Sequence, residues 1–247
     1  MELRQRGTPE DIIMGTPKPK IRTHEEFELV LKTLILDIAR ARDHYTLFQK
    51  LLAAKEGAYA KALSQSQTFW SLTYGAHFET AVFRLCRAYD QDSEALALKG
   101  FLETIKTNPA FLPKAQLFHR IDPIQLDADL AWVSEDTNQV VRHLMRWRHK
   151  VYAHSDIRQT VAGDLEATHP VTHDDVENLL GKGFEIVNRY SGVFFASSVL
   201  REILGLEDYE KVLRAVQDRA ERYEAQLEAE IQRARRQANE STPRTSE

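Results

Sequence analysis

One short stretch concentrates side chains that could move protons and hold phosphate: Arg148-His149-Lys150-Val151-Tyr152-Ala153-His154. A histidine changes charge near neutral pH, so it can take or give a proton during a reaction. An arginine presents a planar fork of donors that matches phosphate oxygens. These two residue types suffice for cutting RNA without a metal. In that chemistry the RNA's own 2′-hydroxyl attacks the adjacent phosphate, and a cation stabilises the charge that develops there.

The stretch must be positioned by the run before it, Thr137-Asn138-Gln139-Val140-Val141-Arg142-His143-Leu144-Met145-Arg146-Trp147. On a helical wheel Val140, Leu144, Trp147 and Val151 fall on one stripe, which Val141, Met145 and Tyr152 widen. Arg142, Arg146, His149 and Ala153 take the opposite side. Arg148 falls inside the apolar sector, where a cation needs a partner. Asp90, crowded with Arg84 and Arg87 at the end of an earlier helical run, is one carboxylate that could meet it. The spacing does not favour that pairing over others. His154 lies about 120° around a regular helix from Arg148. The two can converge only if the helix ends or distorts near His154, or if two chains share the site.

An arginine, a polar residue and a histidine at this spacing, ending an internal helix of an all-helical chain, resemble the R-x(4–6)-H motif of the HEPN superfamily. The match is Arg148, polar His149 and His154. Upstream, Trp70-Ser71-Leu72 through Leu85-Cys86-Arg87-Ala88-Tyr89-Asp90 resembles the second helix of the AbiU-type branch, which is linked to abortive phage infection. The likeness covers roughly residues 24–205. It implies an all-α, HEPN-like helical bundle and a metal-independent endoribonuclease, a toxin or phage-defence effector. It further implies that two motifs, one from each protomer of a homodimer, line a shared cleft. Carried over, His154 is the general acid/base, Arg148 the phosphate clamp, and His149 orients the site or contacts substrate. RNA is the implied substrate, and an antitoxin or accessory protein a possible partner. The competing reading is a non-catalytic HEPN-like scaffold or dimerisation module, with Arg148 sealed in an ion pair.

The composition sets bounds. With 247 residues, 43% hydrophobic and 28% charged, the chain reads as an ordinary globular protein. Ten glycines and eight prolines are few, which favours helices. A formal net charge of −4 provides no global field for nucleic acid. RNA contact must then be local, and Arg142, Arg146, Arg148, His149 and Lys150, interleaved with Trp147 and Tyr152, form the strongest local candidate for it. Arg142, Arg146, Lys150 and Tyr152 are therefore the expected substrate contacts. A dipole-matched helix end with a solvated charged face would look the same.

Other chemistries lack their residues. The single cysteine, Cys86, sits among Val82, Phe83 and Leu85 and excludes a disulfide framework or a cysteine-rich zinc site. His143 and His154 share a stripe but stand about 16 Å apart on a helix, too far to share an ion. No metal or cofactor is expected. No Gly-x-Ser-x-Gly elbow, P-loop or dinucleotide fingerprint is present. No apolar run is long enough to span a membrane and no signal peptide is visible, so the expected location is the cytoplasm.

Helices are expected from a Thr23-x-x-Glu26 capping box to about Ala54, and from Ala58 through Tyr89 as one run. A short helix follows over Ala95–Thr107, then a long motif helix starting near Leu126 or Asp127, loaded with Asp127, Asp129, Glu135 and Asp136 in its first half. Ser155 to Val171 reads as loop, and Thr172-x-x-Asp175 caps the last core helix. Gly181, Gly183 and Gly192 suggest close helix approach there, and His77 reads as a core or interface histidine. The expected organisation is a disordered leader (1–21), the bundle (22–205), a C-terminal helix (206–238) and a polar tail (239–247). Tyr209, Leu213, Val216, Ala220, Tyr223 and Leu227 form a seam that could pack on the bundle or on a second chain.

Overall fold

The computed structural model describes residues 21–93, 95–108, 121–148, 171–198 and 205–240. Among these residues there are eight helices and no strand, an all-α fold. They are α1 (His24–Glu56), α2 (Ala60–Ser64), α3 (Gln67–Ala88), α4 (Leu98–Thr107), α5 (Pro123–Val133), α6 (Gln139–Trp147), α7 (His173–Phe195) and α8 (Asp208–Glu240).

Helix α1 is the axis of the bundle. Thr23 Oγ1 accepts from the Glu26 amide at 3.1 Å, and Glu26 reaches back to the Arg22 amide at 2.7 Å, one residue further than the capping box predicts. One face buries Phe27, Leu31, Leu34, Ile38, Ala41, Tyr45 and Phe48. Both α3 and α7 run antiparallel to it. Along α3, Arg84 meets Asp37 and His77 meets His44, while Trp70 shares a cluster with Leu51. Along α7, His173 meets Tyr45, Gly183 faces Ile38, and Phe194 packs on Phe27.

Two expected continuous helices are broken. The run from Ala58 to Tyr89 divides at Gln65–Ser66, where Ser66 leaves the helical region at φ −143° and ψ 61°. Ser64 Oγ donates to the Lys61 carbonyl at 2.8 Å, a side chain competing with the backbone for its acceptor. The bend lets Leu63 and Trp70 enter one apolar cluster with Leu51 and Leu213. The long motif helix likewise divides into α5 and α6. Asn138 Oδ1 accepts from the Val140 amide at 3.0 Å and starts α6 as its cap. Glu135 and Asp136 therefore lie in the connecting turn.

Buried carboxylates fasten the helices. Asp37 on α1 holds Arg84 at 2.9 Å and Arg87 at 3.3 Å on α3. Asp129 on α5 is fully buried; it pairs with Arg189, with Lys182 at 3.5 Å, and accepts from the Tyr190 hydroxyl at 3.3 Å. Breaking one partner of such a group leaves an uncompensated charge.

Helix α8 packs its first half back on the body through Leu213, Val216 and Ala220, and Lys61 pairs with Glu224. From Glu221 to Gln237 its residues are exposed. Ile21, the last residue of the expected leader, is buried in the core. No described helix is long and apolar enough to cross a membrane.

Of the three glycines in α7, only Gly183 sits at a close approach. A Cβ there would lie 2.8 Å from Ile38 Cδ1 and 2.9 Å from the Tyr89 hydroxyl, whereas Gly181 and Gly192 have open space. Gly183→Ala is expected to cost about 1–3 kcal/mol through overpacking. Gly181→Ala or Gly192→Ala should be neutral or stabilise by about 0.5–1 kcal/mol. Urea unfolding of the three variants checks the contrast.

The His44 and His77 Nδ1 atoms lie 2.8 Å apart between α1 and α3, so one ring must accept. Burial, then His77, Arg84 and Arg40, hold His44 below the usual histidine range against the pull of Asp43. Burial does the same to His77. Both rings bind fewer protons folded than unfolded. Their contribution to stability is therefore present above about pH 6.5 and is lost as the pH falls below it. The urea midpoint should drop between about pH 7 and pH 5, and a His44→Gln/His77→Gln variant should show a shallower drop.

Candidate functional site

The site grows from the C-terminal end of α3, where three consecutive residues each tie a different part of the bundle. Tyr89 is fully buried, and its hydroxyl donates to the Leu179 carbonyl of α7 at 2.7 Å. Gln91 Nε2 donates to the Val133 carbonyl at 2.9 Å, and its Oε1 accepts from the Glu135 amide at 3.3 Å, which fixes the turn between α5 and α6. Between them Asp90 Oδ1 accepts from Arg148 Nη1 and, at 3.0 Å, from the Asp92 amide. The pairing that the sequence left open is the one adopted.

Helix α6 delivers Arg148 to that carboxylate. Val141, Leu144 and Met145 are buried, and Cys86 of α3 lies against the Leu144 carbonyl, 3.9 Å from its sulfur. Arg148 is the C-cap of α6, and its amide is shared between the Leu144 and Met145 carbonyls. A bond shared in this way between the i−4 and i−3 carbonyls is common where a helix ends. The Asp90 side chain is 10% exposed and that of Arg148 is 32% exposed. The guanidinium is therefore anchored on a buried carboxylate while a third of the side chain still meets solvent. It is neither sealed nor loose.

The other predicted residues divide. Arg142 serves the turn: its Nε donates to the Glu135 carbonyl at 2.9 Å and its Nη2 to the Asp136 carbonyl at 3.0 Å. Arg146 is exposed. His149, Lys150, Tyr152 and His154 lie outside the described residues, as does the expected loop up to residue 170. His143 stands 3.5 Å from Gln139 Nε2.

Two groups that could rival the motif are inert. Burial pushes the Cys86 thiol up to about 12, so it is not a thiolate nucleophile at neutral pH. Tyr89 is raised well above the ordinary tyrosine value by complete burial. Asp90 is the partner of Arg148 that the sequence left open. It stands one residue past the cap of α3, beside two arginines that pair with Asp37.

What this geometry can do chemically is hold an arginine fork at a helix end, facing partly outward, on a chain whose net charge is negative. A search among curated proteins and a search among solved structures each found no match. A scan against protein-family models matches HEPN_AbiU2, described as AbiU2, over residues 24–213 of the 247. That match spans α1 through the start of α8 and takes in the whole of the Asp90–Arg148 junction. The chain belongs to the AbiU2 family of the HEPN superfamily.

Proposed function

We propose that the chain is a metal-independent endoribonuclease acting in abortive infection, as a toxin or phage-defence effector. The observation that carries this reading is the state of Arg148. It is the arginine of the R-x(4–6)-H pattern, it stands at the end of α6, and it is anchored by Asp90 with its side chain still 32% exposed. An arginine kept only for packing gains nothing from that exposure; one that clamps phosphate requires it.

In this reading His154 takes the proton from a ribose 2′-hydroxyl. The 2′-oxygen attacks the neighbouring phosphorus, and Arg148 holds the non-bridging oxygens as charge builds on them. The P–O5′ bond breaks, the 5′-oxygen leaves as a hydroxyl after receiving a proton, and a 2′,3′-cyclic phosphate remains. His149 orients the site. Arg146, Lys150 and Tyr152 contact the RNA strand, and Arg142 stiffens the turn that starts α6. Two copies bring their motifs to one cleft in a homodimer, and an antitoxin or accessory protein restrains the activity. The site acts in the cytoplasm, where its RNA is.

The ion pair itself favours a second reading, a non-catalytic HEPN-like scaffold in which Asp90 silences Arg148. The two readings separate on a labelled structured RNA incubated in EDTA. The nuclease reading expects cutting that persists in EDTA and leaves 2′,3′-cyclic phosphate ends. It expects Arg148→Ala and His154→Ala each to lower the rate about 100-fold or more. Asp90→Asn should lower it about tenfold by loosening the clamp without removing it. No cutting by folded wild type would favour the scaffold, and faster cutting by Asp90→Asn would make Asp90 an inhibitor rather than an anchor.

A further inference from the structure

Helix α3 is buried on one side and carries an apolar stripe on the other. Phe69 is 60% exposed, Leu72 69% and Phe83 51%. With Ala76, also exposed, and half-buried Thr80, these residues form one outward row at helical spacing. No other described helix exposes two phenylalanines.

The row is symmetric about Ala76. Going outward from it, Leu72 and Thr80 lie four residues away, and Phe69 and Phe83 lie seven away. A two-fold axis through Ala76 would set a second α3 antiparallel on the first. Phe69 of each copy would then meet Phe83 of the other, and Leu72 would meet Thr80. Such a patch is self-complementary, as an isologous contact requires. Phe69 is already held edge-on against Trp70, with ring centroids 5.0 Å apart at 77°, so little freedom remains to be lost on docking.

Charge and backbone agree with this. From Ser64 to Phe78 there is no Asp, Glu, Lys or Arg, and interface cores are depleted of charge in the same way. The charges that do flank the row fall opposite neutral residues under the two-fold: Glu79 opposite Thr73, Arg84 opposite Thr68, Arg87 opposite Gln65. Gly75 stands in mid-helix beside Ala76, and a Cβ there would have no neighbour within 4 Å. A mid-helix glycine is destabilising, and nothing among the described residues uses its smallness. A second helix crossing closely at Gly75-Ala76 would.

We infer that the outer face of α3 is a docking surface for a second copy of this chain, with the two-fold axis at Ala76. The contact is distinct from the one that would bring two motifs together. Asp90, which holds Arg148, lies about 21 Å along the helix direction from Ala76. Each copy's Arg148 is therefore carried away from this axis, at opposite ends of the pair. A helix face is small against the roughly 1,600 Å² of a standard stable interface, so association should depend on protein concentration.

The test uses the full chain and does not read RNA cleavage; only a monomeric wild type would also count against the shared-cleft homodimer, and every other failure bears on this contact alone. Light scattering over a concentration series should show wild type associating, with Leu72→Glu halving the mass reached. Ala76→Cys should give a disulfide-linked dimer on mild oxidation, which buried Cys86 alone should not. Leu72→Cys should not crosslink to itself, because the two copies of that residue would sit about 12 Å apart along the helices. Should Leu72→Glu fail to fold, the cysteine pair still decides. A wild type that is monomeric throughout, an unchanged mass in folded Leu72→Glu, or self-crosslinking by Leu72→Cys as readily as by Ala76→Cys would overturn the proposal.

Discussion

Most of what positions the candidate site depends on the three-residue tie at the end of α3. Tyr89 reaches α7, Asp90 reaches the end of α6, and Gln91 reaches the α5–α6 turn. A helix end normally leaves carbonyls without partners; here the residues just past it turn the end of one helix into a junction for three others. The buried aromatic, the buried carboxylate and the amide are each satisfied by a different element. None of those elements can move without breaking a buried polar contact, which is costly to leave unmade.

That constraint has a chemical consequence for Arg148. A guanidinium near an apolar face must be paired or pushed into water. Asp90 does the first on one edge, and the place of Arg148 at the end of α6 leaves part of the side chain in water. The same device recurs twice as plain architecture. Asp37 gathers Arg84 and Arg87, and Asp129 gathers Arg189 and Lys182. Those groups join helix to helix within the bundle. What sets Asp90–Arg148 apart is its place beside the stretch that carries His149 and His154.

Much of the frame was legible in the sequence. The first helix, the Thr172–Asp175 capping box, the core side chains of α1, α3 and α7, and the burial of Cys86 all follow from period and capping chemistry. The two breaks did not, because apolar spacing continues across Gln65–Ser66 and across Ser134–Asn138. What interrupts the helix there is local hydrogen bonding by Ser64 and Asn138. Asp129 was read by its charge when its spacing from Leu126 and Val133 already put it on the buried stripe. Gly183 differs from Gly181 and Gly192 only in sharing the apolar face with Leu179, Leu180, Ile186 and Val187. For the candidate site, the family was within reach of the sequence, and so was the need of Arg148 for a partner. Its carboxylate partner was not, since it depends on which end of α3 meets which end of α6.

If the RNA supplies its own nucleophile and Arg148 steadies the phosphate it attacks, as proposed, the 2′-hydroxyl at the cut is indispensable. The most direct measurement takes an RNA that the protein cuts at one site and a copy bearing a single 2′-O-methyl group on the nucleotide 5′ to that cut. Both are incubated with the wild-type protein in EDTA. The unmodified strand should be cut to a 2′,3′-cyclic phosphate and the methylated strand should survive at that position. Equal cutting of both strands would mean that water, not the 2′-hydroxyl, attacks phosphorus, and would contradict the mechanism built on this site.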